Sequence, residues 1–507
     1  MTDPIRLKNG QMLPLTAIPV LDYESFADQV KTAVTGGAEM IGYFADQEDG
    51  GEEPEIFAVL GYGQDNNLSV LRTRPGRLFP SLTPQCSQLH LFEREIGEQY
   101  GMVPTGHPWF KPVRFHRAWS GGDVWNRDPA GHPLIGAMEF FRVTGEEIHE
   151  VGVGPVHAGV IEPGHFRFQC FGEKVLHLEI SLGYQHRAVE RLLAGGPWPQ
   201  TPYQIETMAG DTTIGHTIAY SRVIESLAGI RIPEPALEIR TLALELERLA
   251  NHVGDIGALA GDVGFLPTAS FCGRLRGDYL NFTAVLCGSR FGRGLVRPGG
   301  VLFNLDAAMR EQMIADLVRV ADHTRGAVDL FFETSSVLAR LEGCGIVKAD
   351  DARGLGLIGP AGRACGIDCD VRCHYPLAGE GREHPWPAIL EEGGDVLARA
   401  RIRQHEIEEA LTVVTRQLKE MSGASTRPAA PAALQPDSLS VALVEGWRGR
   451  IAHIAITNDR GRFQRYKVID PSFFNWSGLA MALRDEQISD FPLCNKSFNL
   501  SYCGFDL

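Results

Sequence analysis

At 507 residues, 44% of them hydrophobic and 22% charged, the chain has the composition of a globular protein and is too long for one ordinary core, so two or three domains are expected. A net charge of −15 argues against a nucleic-acid partner, which needs clustered Lys and Arg, and no run of eighteen apolar residues offers a bilayer span. Ten cysteines without a CxxC pair, behind an N-terminus that lacks an export pattern, point to a reducing compartment, and the cytoplasm fits best.

Residues 1–140 read as a small α+β domain. Strands are expected over Glu55–Tyr62 and from Leu68 to Thr73, and a helix over Leu89–Tyr100 that Gly101 ends in a left-handed cap. His165–Phe171 and a second strand from Val175 form a hairpin around Gly172. From 183 onward the period is helical. Pro235 opens a helix over 236–252, and long helices are expected near 305–341 and 386–421. Residues 422–433 look like a linker before a final mixed segment. The fold class is α+β, with the small domain (1–140) followed by a large, mainly helical domain (150–507) that has small β elements.

Glu93-Arg-Glu-Ile-Gly-Glu-Gln-Tyr-Gly, followed by Gly106-His-Pro, resembles the signature of the small peripheral-arm subunit of respiratory complex I. Gly154-Pro-Val-His-Ala-Gly-Val-Ile-Glu-Pro-Gly-His opens a second resemblance. It runs through Leu182-Gly-Tyr-Gln-His-Arg, Ala219-Tyr-Ser-Arg, Glu245-Leu-Glu-Arg-Leu-Ala-Asn-His and Gly359-Pro-Ala-Gly-Arg. These stretches are similar to the quinone-site subunit of complex I and to the large subunit of formate hydrogenlyase and hydrogenase-4, the group 4 membrane-bound NiFe hydrogenases. The two parts stand fused in the order formate hydrogenlyase uses.

The resemblance implies an oxidoreductase subunit at the cytoplasmic face of the membrane, with electron transfer coupled to proton or cation movement. It implies an iron–sulfur small subunit with a [4Fe–4S] cluster, a ferredoxin-like subunit and membrane antiporter-like subunits as partners. Any NAD link would run through a partner, and no cofactor is expected in this chain. Glu162 matches the acid that passes protons to the hydrogenase metal, a task suited to a carboxyl whose pKa moves on desolvation. His165 could share its network; His157, His216 and Arg363 also occupy family positions. A buried ion pair or capping group is the bland reading of Glu162 and Arg363, and a satisfied core histidine that of His157 and His216. His186 and Arg187 match the segment that meets the iron–sulfur partner.

The departures are as informative. Ala209 and Thr212 in Glu206-Thr-Met-Ala-Gly-Asp-Thr-Thr-Ile-Gly-His, and Ser472 and Asn475 after Asp470-Pro, stand where the family has four nickel-ligating cysteines. A methyl cannot donate, and neutral hydroxyls and amides are poor ligands for a soft, thiolate-held metal, so no NiFe centre is expected. The cavity is expected to persist without it, and the tail 490–507 to stay as a docked strand or extended segment. Ile161 replaces a quinone-site His, and Tyr203 only loosely matches the quinone-site Tyr. Cys365, Cys369 and Cys373, beside His374, are spaced by four but match no cluster motif. Two readings therefore stand: a redox-linked subunit and a catalytically silent scaffold. A third, an active NiFe hydrogenase, would need nickel in the purified protein.

Overall fold

A four-stranded antiparallel sheet organises the chain, in the order Phe463–Ile469, Gly449–Thr457, Ser438–Gly446 and Met12–Pro14. The computed structural model describes residues 5–47, 51, 53–127, 133–159, 161–376, 386–421 and 433–507. Both central strands are buried along their whole length, as befits a sheet covered on two faces. Alternation divides their side chains between two cores. Leu439, Val441, Leu443 and Ile454 join the main core. Ala442, Ala455, Tyr466 and Val468 face Tyr220, Val223 and Leu227 of helix Thr213–Ala228. The two alanines let that helix approach closely.

The N-terminal sheet contains Asn67–Thr73, Glu55–Tyr62 and Glu39–Asp46 as neighbours. It packs on the central sheet so tightly that a Cβ on Gly42 would lie 3.0 Å from Ile454 Cδ1. Helix His90–Tyr100 ends at Gly101 with φ 64°, as the sequence led us to expect. Its carboxylates are structural locks. Glu93 accepts from Leu82 N (2.7 Å) and Thr83 Oγ1 (2.7 Å), while Glu98 accepts from the backbone of Arg114 (2.9 Å) and Phe115 (2.6 Å). Glu95 pairs with Arg114 and with Lys467 (2.7 Å), and Lys467 also meets Glu190 (3.0 Å).

Helices Glu234–Asp262, Leu266–Cys287, Ala307–Glu333 and Val396–Glu420 pack together beside the sheet. Pro235 lies in the first turn of the first of them, which continues ten residues beyond the expected 252. The region expected as one helix over 305–341 breaks at the extended Thr334. The helix expected from 386 begins at Val396, where Asp395 accepts from Ala398 N. The proposed linker lies almost wholly outside the described residues. The tail departs from expectation: it forms helices Phe491–Phe498 and Tyr502–Phe505 rather than a strand. Leu493, Cys494, Ser497 and Phe498 are the buried positions, a helical spacing, and Asn499 at φ 46° stops the first helix. No helix among the described residues is long and apolar enough to cross a membrane.

One close approach positions the site. Gly446 and Gly449 close the two-residue turn that carries Trp447 and Arg448. Gly449 (φ 127°) abuts Gly359 (φ 61°), where an added Cβ would lie 2.1 Å from the Arg448 carbonyl. Only glycines permit this contact, and it brings the segment Gly359–Arg363 against the turn.

Candidate functional site

The four ligand-replacing positions are all buried, at 0–2% exposure. Ala209 offers no donor atom. Thr212 Oγ1 accepts from Arg448 Nη1 and Trp447 Nε1, both at 3.2 Å, and donates to Asp211 Oδ1 at 2.9 Å. Ser472 Oγ accepts from Ser501 N at 2.9 Å. The Asn475 amide pairs with both backbone groups of Ile358, at 3.1 and 3.0 Å. Arg448 grips the Asp211 carboxylate through two contacts of 2.7 Å and donates to the Asn499 carbonyl. Burial pushes the Asp211 carboxyl up, but this fork overrides it and holds the group below its usual range. The tail thus reaches Ser472 and Arg448, and every polar atom replacing a thiol is bonded to protein.

Beside them lies a linear chain of four buried side chains. Asp470 Oδ2 is 3.1 Å from His216 Nε2, His216 Nδ1 is 3.1 Å from His453 Nε2, and His453 Nδ1 is 2.8 Å from the Tyr466 hydroxyl. None is more than 1% exposed. The arrangement that gives every atom a partner has Tyr466 donating to His453, His453 to His216, and His216 to Asp470. Burial and then the neighbouring His216 hold His453 well below its ordinary range, so it is neutral. Burial raises the Asp470 carboxyl, yet the His216 contact, Arg448 and the Ser472 side chain together leave it lowered and ionised. Tyr466 also borders a cleft of about 350 Å³ shared with Asp46, Tyr100 and Glu190. Burial, partly opposed by the Gln464 bond and Arg465, moves the Asp46 carboxyl up to about 6.

Glu162 meets the tail. The Cys503 thiol is hydrogen-bonded to it and is pushed up to about 11 by burial and by the Glu162 charge. Asp506, next to the last described residue, accepts from Gly183 N (2.7 Å) and Gln185 N (2.9 Å). His165 is not drawn into this group: Nδ1 faces the Gly154 carbonyl at 3.2 Å and Nε2 accepts from Arg167 at 3.1 Å. His157 bonds the Gly164 carbonyl at 2.9 Å, a local loop contact. His186 bonds the Asp506 carbonyl and stacks on His116 at 4.7 Å, while Arg187 caps the carbonyls of Thr207 and Met208 beside Ala209. Both residues assigned to a partner interface are therefore engaged within the chain.

Arg363 sits in a separate charged cluster. It contacts Asp370 (3.1 Å), Glu406 (3.0 Å) and Glu445 (3.5 Å); Arg372 shares Asp370 and Glu406, Arg248 shares Glu406, and Glu245 pairs with Arg248. His252 bonds Glu406 at 2.7 Å. Four carboxyls thus face three guanidinium groups, and burial, with the Asp370 charge, pushes Glu445 up to about 8 against the pull of Arg363. The folded chain holds a proton there that an unfolded Glu releases near about 4.3. This stability is present below that value and is lost as pH rises through about 8. Glu445→Gln is expected to flatten the decline by up to about 1.4 kcal/mol per pH unit in that window. Urea unfolding at several pH values checks this, and an unchanged slope would assign the proton elsewhere.

The thiols of Cys365 and Cys373 contact different carbonyls, of Val347 and Ala361 for the first and of Trp386 for the second, and Cys369 is packed against Gly362. They do not converge. Tyr203 is 61% exposed and Ile161 lies at the surface, so neither faces the buried relay. Sequence reasoning missed Asp211, Arg448, His453, Tyr466 and Cys503. Asp470, whose Asp-Pro segment marks only the missing cysteines, gains its role from the distant His216.

Residues 262–441 match the family of the respiratory-chain NADH dehydrogenase 49 Kd subunit. The chain is 27% identical over 440 residues to formate hydrogenlyase subunit 5 of Escherichia coli, covering 84% of this chain and 77% of that one. It is 30% identical over 352 residues to the carbon monoxide-induced hydrogenase of Rhodospirillum rubrum, covering 69% of this chain and 97% of the relative. The fold aligns with a chain of the membrane-bound sulfane sulfur reductase, an archaeal respiratory membrane complex, with a TM-score of 0.64 at 22% identity, over 72% of this chain and all of that one. The chain belongs to the family that unites the hydrogenase large subunits with the 49 Kd subunit of respiratory-chain NADH dehydrogenase.

Proposed function

We propose that this chain is the large peripheral subunit of a membrane-associated redox complex, at the cytoplasmic face, and that it handles protons rather than a metal-bound substrate. The relay from Asp470 through His216 and His453 to Tyr466 is the observation that carries this reading. Two imidazoles in series can each take a proton on one nitrogen and release one from the other. Such a chain moves a proton between Tyr466, beside the cleft, and Asp470, beside the four replaced positions. Glu162, bonded to the Cys503 thiol, is a second acid near those positions that can hold a proton.

A NiFe centre does not fit the donor set. One position has no donor, and the three neutral oxygen or amide groups at the others are already hydrogen-bonded. Electrons would then be carried by partner subunits, an iron–sulfur subunit of the complex I or hydrogenase type and a ferredoxin-like subunit being the ones the sequence resemblance implies. Antiporter-like membrane subunits would move the coupled ion. The tight bonding of Thr212, Ser472 and Asn475 favours a second reading, a scaffold that the complex needs only for assembly. Nickel analysis of the purified complex tests the first point: none is expected, and stoichiometric nickel would restore the hydrogenase reading. Glu162→Gln, expected to slow ion-coupled turnover of the assembled complex without impairing assembly, separates the two readings, since unchanged turnover favours the scaffold.

A further inference from the structure

Two buried thiols from distant parts of the chain touch. Cys344 lies in the loop after helix Ser335–Leu341, and Cys494 belongs to helix Phe491–Phe498. Their sulfurs are 3.7 Å apart. We propose that Cys344 and Cys494 form an oxidant-sensing pair, which hydrogen peroxide converts to a reversible disulfide that clamps helix Phe491–Phe498 to this loop.

The loop is pinned so that the sulfurs face each other. Gly343 N donates to Asp395 Oδ2 at 2.7 Å, the Cys344 carbonyl accepts from Val396 N at 2.9 Å, and Gly345 N donates to Glu486 Oε1 at 2.8 Å. Gly345 has φ 64°, and a Cβ there would lie 2.5 Å from the Cys494 sulfur, so glycine lets the loop lie against the helix. A disulfide needs its sulfurs about 2.05 Å apart, and the pair closes by moving less than about 2 Å.

The two thiols are not equivalent. Cys344 is 8% exposed and lies between exposed Glu342 and Ile346, whereas Cys494 is fully buried. The contact with Cys494 holds the Cys344 thiol below its ordinary range, against burial and the charges of Asp490 and Glu486, and the Arg399 guanidinium acts in the same sense. Cys344 is thus the attacking thiolate and Cys494 the resolving thiol. The Cys344 sulfur attacks one peroxide oxygen and the O–O bond breaks. The hydroxide released takes up the proton that Cys344 gave, leaving a sulfenic acid and water. The Cys494 sulfur then attacks the Cys344 sulfur, forming S–S and breaking S–O, and the departing hydroxide takes the Cys494 proton as a second water. Two sulfurs are oxidised, both peroxide oxygens are reduced, and a dithiol reverses the change. The clamped helix leads into Asn499, Ser501 and Cys503, which bond Arg448, Ser472 and Glu162. Oxidation would therefore stiffen the support of the four replaced positions, whether or not protons travel along the relay.

Titration of the reduced full-length chain with hydrogen peroxide, followed by alkylation and peptide mapping, provides the test. A peptide joining Cys344 to Cys494 is expected before any other cysteine is oxidised, and dithiothreitol should remove it. Cys344→Ser should abolish the linked peptide, and Cys365→Ser, whose thiol contacts other carbonyls, should retain it. Amide exchange across helix Phe491–Phe498 should slow by about tenfold or more in the oxidised chain. Oxidation of the more exposed Cys373 first, or a sulfinic acid on Cys344 without the linked peptide, overturns the sensing pair. Unchanged exchange in the linked chain overturns the clamp. Should Cys344→Ser fail to fold, the map of the wild-type chain decides alone, and absence of the linked peptide there overturns the proposal.

Discussion

Arg363→Met is expected to destabilise the chain by about 3–5 kcal/mol, enough to lose most of the soluble protein. Methionine fills a similar volume, so the loss would not come from a cavity. It would come from Asp370 and Glu406, which are buried and would lose the cation 3.1 and 3.0 Å away. Burial alone disfavours the guanidinium charge, but Glu406 and then Asp370 outweigh it and hold Arg363 charged. Denaturant unfolding of the purified variant checks the figure. A second change, Glu406→Gln, removes one of the stranded charges and should recover part of the loss. A single variant within about 1 kcal/mol of wild type would mean that Arg248 and Arg372 suffice for the cluster.

Asp470→Asn is expected to keep the fold and to reduce proton-coupled turnover of the assembled complex by about 100-fold or more. The Ser472 amide donates to Asp470 Oδ1 at 2.8 Å, so the asparagine oxygen stays there and its NH2 turns to His216. His216 must then accept at Nε2 and carry its proton on Nδ1, which points at His453. His453 in turn moves its proton to Nδ1, facing the Tyr466 oxygen. One amide thus reverses the polarity of the whole relay. Nitrogen chemical shifts of the two imidazoles report the tautomers directly. If the tautomers invert and turnover does not change, protons do not travel this way and the scaffold reading stands.

Much of this was legible in the sequence, for physical reasons that differ by element. Glu55–Tyr62, the Gly101 cap and the hairpin around Gly172 follow from local periodicity and turn chemistry, and they appear where expected. The Cys494 helix was misread because Phe and Leu positions in 490–507 suit either period, and Asn499 is the only local stop. Ala209, Thr212, Ser472 and Asn475 could be named from motif positions, but not their bonding, which depends on Arg448, Ile358 and Ser501 brought in by tertiary packing. His453 sits in an ordinary strand pattern, and nothing near it marks a partner 237 residues away. Arg363 and Glu162 were both singled out, yet the structure assigns them to different polar clusters.

The pairing of Met12–Pro14 with Ser438–Ser440 bears on how the molecule is made. Asn9 adds to it, accepting from Leu443 N at 2.8 Å and donating to the Leu443 and Tyr375 carbonyls. A ribosome releases the first of these segments long before it reaches the second, so Met12–Pro14 has no strand to pair with until residues 438–440 emerge. Exposed strand edges recruit whatever strand arrives first. The central sheet can therefore close only once residues 438–469 have been made, and a chain truncated before residue 438 is expected to leave Met12–Pro14 without its strand partner.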